Sequence, residues 1–541
     1  MSTDVNRSDR AAEHGHLTES TGLERRTLTV PSLVFLIIAA SAPLTVLAGG
    51  VPSTFAVTGL LGVPLGFLVL GVILALFAVG YGAMSSRITN AGAFYAYVAD
   101  GLGARQGIGA SWLALISYNA MQIGLYGIFG FVLSSFLEAR LGLAVPWWAA
   151  ALAGLVLVGL LGVSRVDLSA KVIAVLVTLE FLVVIVVDVV SLGVAPEGIT
   201  AQPLMPSEFF TYGIGAVLSF GIAAFMGFES AAIYSEEAKD PARAVPRATF
   251  TAVAIISVFY AVSAWALAVG VGPGGIVAAS QQYGPDLVFV FLGEHGGVLL
   301  ADIAQVLFIT SLLAALIAFH NAVARYFFSL GRESVLPRWL GAVGRRNHAP
   351  VAGSLTQSAL AVVLVTVFAI AGQGSELGPL FPVLTLFTWL VNAGAFGLIF
   401  LLAITSLAVI GHFRRDPGGQ SAWVRWIAPG LSAVGLGAVF LLVLVNFDVL
   451  IGAEGPSLLA VVMPAIILGA GLAGLLWGEY LRRRRPEVFA GVGSGRAVEG
   501  GGSVAPPAAP GERGAPASSE GAGAREASGA SEAAGVAGDA R

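Results

Sequence analysis

The stretch AAFMGFESAAIYSEEAKDPARAVPRAT, residues 223–249, decides the fold of this chain. It begins as an apolar helix and ends as a charged loop. Gly227 and Ser230 flank a carboxylate, Glu229, in a run whose other residues are those of a membrane helix. Glycine weakens a helix, and a carboxylate is costly in lipid unless it has a function. The combination indicates a membrane helix that is interrupted at a functional site.

The composition predicts a membrane protein. Of 541 residues, 57% are hydrophobic and 11% are charged, whereas soluble proteins carry about 25% charged residues. The net charge of -4 does not point to nucleic acid. The chain has no cysteine, which excludes disulfides, zinc thiolates and thiol nucleophiles. Because the first 28 residues contain no apolar segment, we expect the first membrane helix to act as its own insertion signal.

Apolar segments recur along the chain, and about twelve of them are long enough to cross a bilayer, which takes roughly 20 residues. They are too long for strands, which run to about 8 residues. In lipid only helices or closed barrels satisfy the backbone. The sequence therefore predicts an all-α polytopic membrane protein with about 12 transmembrane helices. The segments are 30–51, 59–83, 107–137, 146–164, 171–194, 210–234, 248–271, 298–328, 352–372, 379–410, 427–447 and 457–480.

The distribution of Lys and Arg predicts the orientation. Basic residues fall in the N-terminal tail, in the loops after the even-numbered segments and after the last segment. The loops on the other side together contain one, Arg140. Cytoplasmic loops carry the excess of Lys and Arg. We therefore expect a multi-pass protein of the cytoplasmic (plasma) membrane with both termini in the cytoplasm.

Three regions follow from the composition. Residues 1–28 form a cytoplasmic N-terminal tail, and residues 29–485 form the transmembrane domain. Residues 486–541 consist of Gly, Ala, Ser, Pro and Glu with almost no large apolar side chain. Such a segment cannot bury enough surface to fold, so we expect a disordered cytoplasmic tail.

The first and sixth segments both carry a helix-breaking element. The first, PSLVFLIIAASAPLTVLAGG (31–50), has Pro43 after a run of small residues, and proline removes a backbone donor and clashes with the preceding turn. The sixth has the break at 225–230. Interrupted helices at corresponding places in two halves indicate a transporter binding site. An offset of five segments predicts an inverted repeat. The simpler alternatives are a kink at Pro43 and a close helix contact at Gly227.

Two such breaks have chemical properties suited to an amino acid. A freed helix N-terminus offers N–H groups and the positive end of a dipole, which suit a carboxylate. A freed C-terminus offers carbonyl groups, which suit an ammonium group or a metal cation. Two broken helices side by side would therefore hold both ends of one amino acid.

Three stretches carry a resemblance to a known family. GFESAAIYSEEAKDPARAVPRAT (227–249), ARYFFSLGRESVLPRWLGAV (324–343) and TNAGAFYAYVADGLG (89–103) resemble parts of the amino acid–polyamine–organocation (APC) permeases. They match, respectively, helix 6 with its loop, the end of helix 8 with its loop, and the helix 2–3 connection. The resemblance covers about residues 25–485. It implies the LeuT-type fold of two inverted five-helix repeats, here about 30–194 and 210–410, plus helices 11 and 12 at about 427–480.

The resemblance also implies a substrate site at the two breaks. Backbone of the first break would take the substrate carboxylate, and backbone of the second the amine end. The residues are Ser41, Ala42 and Pro43 in the first break and Phe225, Met226 and Gly227 in the second, with Phe228 or Phe225 as an aromatic wall. The first break is stiffer than the Gly-Ser-Gly or Gly-Ala-Gly of many members. Ala223 stands where some members have a gating tryptophan, which leaves room for a bulkier side chain.

Ionisable groups inside the segments are further candidates. Glu229 would pair with a substrate amine, or it would cap the half-helix that starts at the break. Glu180 lies mid-way along segment 5, near the place where some proton-coupled family members have a lysine. It would carry a proton or bind a cation, and the alternative is an acid that serves helix packing. Asp188, two turns on, is expected to line a vestibule.

Polar side chains in helices 3 and 8 complete the set. Thr310 and Ser311 would offer hydroxyl groups to a coupling cation held against helix 1, unless they bond their own backbone. Asn119 and Gln122 are one turn apart and are expected to face the cavity. His320 is expected to be a solvated vestibule residue.

The leading hypothesis is a secondary active transporter that moves an amino acid by alternating access, coupled to a proton. The alternatives are an amino acid/polyamine exchanger or amine importer, and a transport-dead sensor of the same fold. The chain has no phosphate-binding loop, no H-E-x-x-H and no G-x-S-x-G, so ATP drive and a membrane enzyme are disfavoured. The expected partners are an amino acid or amine, a coupling proton or other cation, and lipid. No cofactor or metal is expected.

Overall fold

The computed structural model describes residues 28–88, 94–163, 170–229, 238–344, 349–453 and 457–495. Within these ranges the chain is helical, and the β-type pairing is one isolated bridge between Leu28 and Ala238. The tail at 1–27, part of the loop after the second break and residues 496–541 lie outside the described residues.

The helices follow one another with short connections. In the described ranges, the α-helices of six or more residues are, in chain order, α1 (Val30–Ser41), α2 (Val51–Thr58), α3 (Val63–Ser85), α4 (Phe94–Leu102), α5 (Ala104–Leu141), α6 (Trp147–Val163), α7 (Ala170–Val194), α8 (Ile214–Phe225), α9 (Pro241–Val271), α10 (Ile276–Tyr283), α11 (Leu287–His295), α12 (Val298–Arg332), α13 (Val351–Ala371), α14 (Thr388–Arg415), α15 (Ala428–Val445), α16 (Leu458–Arg484) and α17 (Pro486–Gly491).

Ten helical segments in the described ranges are long and apolar enough to cross a membrane. One of them joins α1 and α2 into a single interrupted segment, Val30–Thr58. Two further apolar helices, α6 and α8, are shorter. The helices lie where the twelve predicted segments lie, and the count of twelve crossings stays a prediction.

Small residues bring the central helices together. In α5, an added Cβ at Gly124 would lie 2.8 Å from the Val391 side chain, and one at Gly127 would lie 2.7 Å from the Pro382 carbonyl oxygen. From α14, a Cβ at Gly394 would lie 2.6 Å from the Ser117 carbonyl oxygen. Such close approaches replace the hydrophobic driving force that helices lack within lipid. Helix α5 also packs against α4, α6, α12 and α16, which places it in the middle of the bundle.

Basic side chains mark one end of the bundle, which we call the basic end. Arg87 pairs with Asp416 at 3.0 Å, Arg415 donates to the Asp100 carbonyl at 2.6 Å, and Arg105 lies 3.8 Å from a Glu479 oxygen. Each contact joins helix ends that are distant in sequence. The other end carries a Tyr212–Asp448 hydrogen bond of 2.8 Å and an Arg140–Asp302 ion pair.

The folded chain continues past the predicted boundary at 486. Residues Pro486–Gly491 form α17, which packs against α16 and α5. The backbone N–H groups of Gly493 and Gly495 donate to the buried Glu333 carboxylate at 3.0 and 2.9 Å. The prediction that disorder begins at 486 is therefore wrong for 486–495. Composition alone does not reveal that the backbone of Gly493 and Gly495 is held by the Glu333 carboxylate from a distant part of the chain.

Candidate functional site

The first helix break lies at Ala42. Helix α1 ends at Ser41, and Ala42 has φ 47° and ψ 79°, the left-handed region that non-glycine residues rarely adopt. Pro43 has no N–H to continue the helix. The chain then resumes as a π-helical turn, Thr45–Gly50, which leads into α2. The predicted interruption is therefore present.

The second break follows α8. Met226 has ψ 140°, and Gly227 has φ +107°, which strongly favours glycine. A Cβ built on Gly227 would lie 2.6 Å from the Cβ of Ala40 and 3.4 Å from the Ser41 nitrogen. The two breaks therefore touch, and glycine is what permits the contact.

Glu229 holds the second break in place. The N–H of Gly227 donates to its Oε2 at 3.0 Å, and the Tyr118 hydroxyl of α5 donates to its Oε1. The Tyr81 hydroxyl of α3 donates to the Glu229 carbonyl at 3.2 Å. These contacts are those of an anchor for the broken helix, and the side chain also lines a cavity.

Glu180 joins α7 to α12 and to the first break. Its Oε2 accepts from the Ser311 hydroxyl at 2.7 Å and from the Leu44 N–H at 3.4 Å. The Thr45 hydroxyl in turn donates to Ser311 at 3.1 Å. Thr310 instead bonds the Leu307 carbonyl of its own helix at 2.8 Å. The structure therefore brings Glu180, Ser311 and Thr45 together. The sequence analysis did not include Thr45, and the one feature of the sequence that indicates it is its position two residues after Pro43.

Two cavities meet at the breaks. The smaller is lined by Ser41, Ala42 and Thr45 from the first break and by apolar side chains of α5, α8, α12 and α14. The larger contains Glu180, Gly227, Glu229 and Thr310 and extends to Arg325. Ala40 and Phe319 line both, so they form the partition between the cavities.

Several residues assigned to the breaks line neither cavity: Pro43, Phe225, Met226 and Phe228. The Phe225 ring packs near Phe67 with centroids 6.4 Å apart, and the Phe228 ring meets Phe77 edge-on at 5.8 Å. The aromatic wall of the smaller cavity consists instead of Phe220, Phe319 and Phe387. Phe220 stands one helical turn before Ala223 and Ala224, which also line this cavity. That spacing is the feature of the sequence that could have predicted Phe220 as a lining residue.

Asn119 and Gln122 do not line either cavity, contrary to the expectation from their spacing. Asn119 donates to the Leu115 carbonyl of its own helix at 2.6 Å. Gln122 donates to the Nδ1 of His320 at 3.2 Å. The cavity-facing residues of α5 are Tyr118, Met121 and Leu125.

His320 is a buried residue and not the solvated vestibule residue expected. It is 1% exposed, and its Nε2 lies 2.7 Å from the Ser354 hydroxyl of α13. Because Nδ1 accepts from Gln122, Nε2 carries the proton and donates to Ser354. The ring thus ties α5, α12 and α13 together behind the cavities.

No three His, Asp or Glu side chains among the described residues converge as a metal-binding group. The carboxyl groups at the breaks are held by hydroxyl and backbone donors instead. The arrangement suits a small organic molecule held between helix ends and apolar walls.

The sequence profile of the family described as "Amino acid permease" matches residues 33–487. The chain belongs to the amino acid permease family. The branched-chain amino acid permease BcaP of Bacillus subtilis (strain 168) is 25% identical over 409 residues, which cover 72% of this chain and 82% of that protein. The chloroplastic cationic amino acid transporter 7 of Arabidopsis thaliana is 24% identical over 260 residues, which span 43% of its length and 44% of this permease.

A solved transporter structure shares the fold. The manganese transporter of Eremococcus coleocola, crystallised with an aromatic bis-isothiourea substituted compound, superposes with a TM-score of 0.53 and 18% identity. The match covers 86% of this permease and 99% of that chain. The APC-type fold expected from the sequence is therefore confirmed, and the likeness extends to the fold alone.

Proposed function

We propose that this permease moves an amino acid with a neutral, apolar side chain across the cytoplasmic membrane by alternating access, driven by a proton. One observation carries the proposal: the two helix breaks touch through Gly227 and Ala40, beside a cavity that Ser41 and Ala42 help to line. Family membership and the names of the matched relatives support transport of an amino acid.

The break geometry supplies recognition of the shared amino acid core. The turn that starts after Pro43 presents a helix N-terminus, which favours the substrate carboxylate. The end of α8 presents carbonyl groups next to Gly227, which favour the ammonium group. Both ends lie against the partition between the cavities, so a substrate held there would pass from one cavity to the other.

The walls of the smaller cavity supply side-chain selectivity. Among its lining residues only Ser41 and Thr45 have polar side chains. A charged substrate side chain would lose its hydration there without a partner, which is unfavourable. We therefore favour an apolar amino acid over a polyamine. Ala223 leaves the space for a branched or aromatic side chain.

Glu180 is the proposed proton carrier. Its carboxyl lines the larger cavity and contacts the first break through Leu44 and Ser311. A change in its protonation would alter how strongly it accepts from these donors. The position of the broken helix would then depend on the proton, which is the requirement for coupling.

The larger cavity supports an inward-facing conformation. It extends to Arg325, in the half of α12 that leads to the basic end of the bundle. Cytoplasmic faces carry the excess of Lys and Arg. We therefore assign the basic end to the cytoplasm.

The test is uptake by purified protein in liposomes. A panel of labelled amino acids and polyamines is offered with an inward proton gradient, a sodium gradient or neither. We expect accumulation of apolar amino acids that requires the proton gradient. Glu180→Gln should abolish this accumulation and retain exchange, whereas the exposed control Glu376→Gln should behave as wild type.

Other outcomes would replace the proposal. Uptake of labelled substrate only into liposomes preloaded with substrate would mean that the protein is an exchanger. Glu180 would then serve helix packing and not proton coupling. Preference for polyamines would contradict the argument from the apolar walls. If the folded protein transports no compound of the panel, a transport-dead sensor is favoured.

A further inference from the structure

Asp188 is a buried carboxyl that the proposed function does not use. It lies in α7, is 9% exposed and lines neither cavity, contrary to the vestibule expected from the sequence. Its Oδ2 accepts from the Ser263 hydroxyl of α9 at 2.8 Å, and its Oδ1 is buried without a hydrogen-bond partner. A carboxyl at this depth is expensive unless it has a function.

Asp188 and Glu180 form a polar row on α7 that turns by about 80° around the helix axis. The two are eight residues apart, which is about 12 Å along a helix. Ser191 continues the row, because a Cβ on Gly270 of α9 would lie 2.5 Å from the Ser191 Cβ. The row therefore follows the α7–α9 contact from the non-basic end of the bundle towards its middle.

Helix α9 places matching hydroxyl groups on its side of this contact. Tyr260 stands one turn before Ser263, and its hydroxyl lies 2.9 Å from that of Ser41 at the first break. The same break contacts Glu180 through the Leu44 N–H. Polar groups thus occur from Asp188 to Glu180 within an otherwise apolar wall.

We propose that Asp188 is the outer station of the proton route to Glu180; this inference rests on the proposed proton coupling. The Asp188 carboxylate accepts one proton from external water and becomes neutral. It then releases that proton, through water beside Ser263 and Tyr260, to the Glu180 carboxylate. Asp188 returns to the anion, and no electron or co-reactant is involved.

The surrounding charges leave Asp188 free to act in this way. The elements packed on α7 are α1, α9, α11 and α12. Helix α1 has no titratable side chain, and α9 contributes Tyr260 near Asp188, with Arg243 and Arg247 at its far end. Glu294 and His295 end α11, and Asp302 of α12 pairs with Arg140. In the described ranges, Ser263 is the side chain that bonds Asp188.

Three variants separate a proton station from a packing contact. Asp188→Asn keeps an oxygen that accepts from Ser263 but cannot titrate. Ser263→Ala removes the hydrogen bond and keeps the carboxyl. Asp188→Glu retains an acid with a longer side chain. Asp448→Asn is the matched control, because it removes a carboxylate at the same end, outside the α7–α9 contact.

The experiment measures proton-driven uptake and substrate exchange in the same liposomes, with a trapped pH dye to record proton movement. We expect Asp188→Asn to slow proton-driven uptake by about tenfold or more, since losing a proton-transfer group commonly costs at least that. Exchange should be unchanged. Asp188→Glu should restore part of the uptake, and Asp448→Asn should match wild type.

The inference is overturned if Asp188→Asn leaves proton-driven uptake intact, or if uptake and exchange fall together as they would after a packing defect. A Ser263→Ala variant as slow as Asp188→Asn would also favour packing. If wild-type protein moves no protons at all, the proposed coupling itself fails. If wild type and Asp188→Asn both couple uptake to protons, the proposed coupling holds and only the role of Asp188 fails.

Discussion

Gly227 lies directly against Ala40, and no side chain larger than hydrogen fits between them. A Cβ at residue 227 would be 2.6 Å from the Ala40 Cβ and 3.2 Å from its carbonyl carbon. A separation below 3.0 Å requires something to move, and the Ala40 Cβ cannot rotate away because it is attached directly to the backbone. The spacing of the two broken helices thus depends on this one glycine.

Gly227→Ala should therefore abolish or strongly reduce uptake. The variant combines the overlap with a left-handed backbone that costs an alanine about 1–2 kcal/mol. Uptake in liposomes and the yield of folded protein are measured together. Gly59→Ala is the control for strain alone, because Gly59 has φ +66° with nothing within 4 Å. Adding Ala40→Gly should restore part of the lost uptake. Full uptake by Gly227→Ala would show that the contact with Ala40 does not require glycine.

Ala42 is strained in the opposite sense, because a side chain is present where glycine is preferred. Ala42→Gly should relieve about 1–2 kcal/mol of backbone strain and lose the burial of one methyl, about 0.8 kcal/mol. The matched control, Ala48→Gly, loses a buried methyl in a helical turn with no strain to relieve. Thermal unfolding in detergent should show Ala42→Gly as the more stable of the two. Equal stabilities would mean that the strain is not stored at Ala42.

The size of the smaller cavity at Ala223 should set the upper limit of substrate size. The series Ala223→Val, Ala223→Phe and Ala223→Trp places progressively larger side chains into the lining. Competition assays should show leucine and phenylalanine losing affinity before alanine does. A uniform loss for all substrates would point to a folding defect, and no loss would place the substrate side chain elsewhere.

Glu333 should hold the C-terminal segment, residues 486–495, against the basic end. Glu333→Ala leaves the N–H groups of Gly493 and Gly495 without their acceptor. We expect faster hydrogen exchange at these two amides. Glu487→Ala, which removes an exposed carboxylate within α17, is the control and should leave exchange unchanged. Equal protection in both variants would show that packing of α17 alone suffices.

The same carboxyl predicts a pH dependence. Burial raises the pKa of Glu333 above its usual value, and the donors Gly493 and Gly495 oppose this only in part. Because the folded state then keeps the proton more tightly, the contribution of Glu333 is largest at low pH. It is lost as pH rises from the ordinary glutamate value through the raised one. Across that window the melting temperature of wild type should fall relative to Glu333→Gln. Parallel curves would contradict this.

The helix breaks were predictable because their causes are local. Proline cannot continue a helix, and a glycine beside a carboxylate is conspicuous in an apolar run. The sequence offered Thr310 and Ser311 equally as hydroxyl groups facing helix 1. What the pattern could not show was that the Ser311 hydroxyl would bond Glu180 directly, while that of Thr310 would bond its own backbone.

The rotation of α5 was not predictable, because this helix is surrounded by protein on most of its sides. The orientation of an amphipathic helix can be read from its polar stripe, but the sequence of α5 has no such stripe. Asn119 and Gln122 therefore seemed suited to the cavity, while Tyr118, Met121 and Leu125 occupy it. His320 was misplaced for a related reason, since its partners Gln122 and Ser354 lie on helices far away in sequence.

The contact between Glu333 and Gly493 has a consequence for how the chain is made. The two residues are separated by 160 positions in sequence, and α16 lies between them. A ribosome delivers Glu333 to the membrane while its backbone donors are still untranslated. A nascent chain halted at residue 485 would hold every membrane helix of the described ranges and still lack both donors. Closure of this contact is thus a late event in biosynthesis, after insertion of α16 is complete.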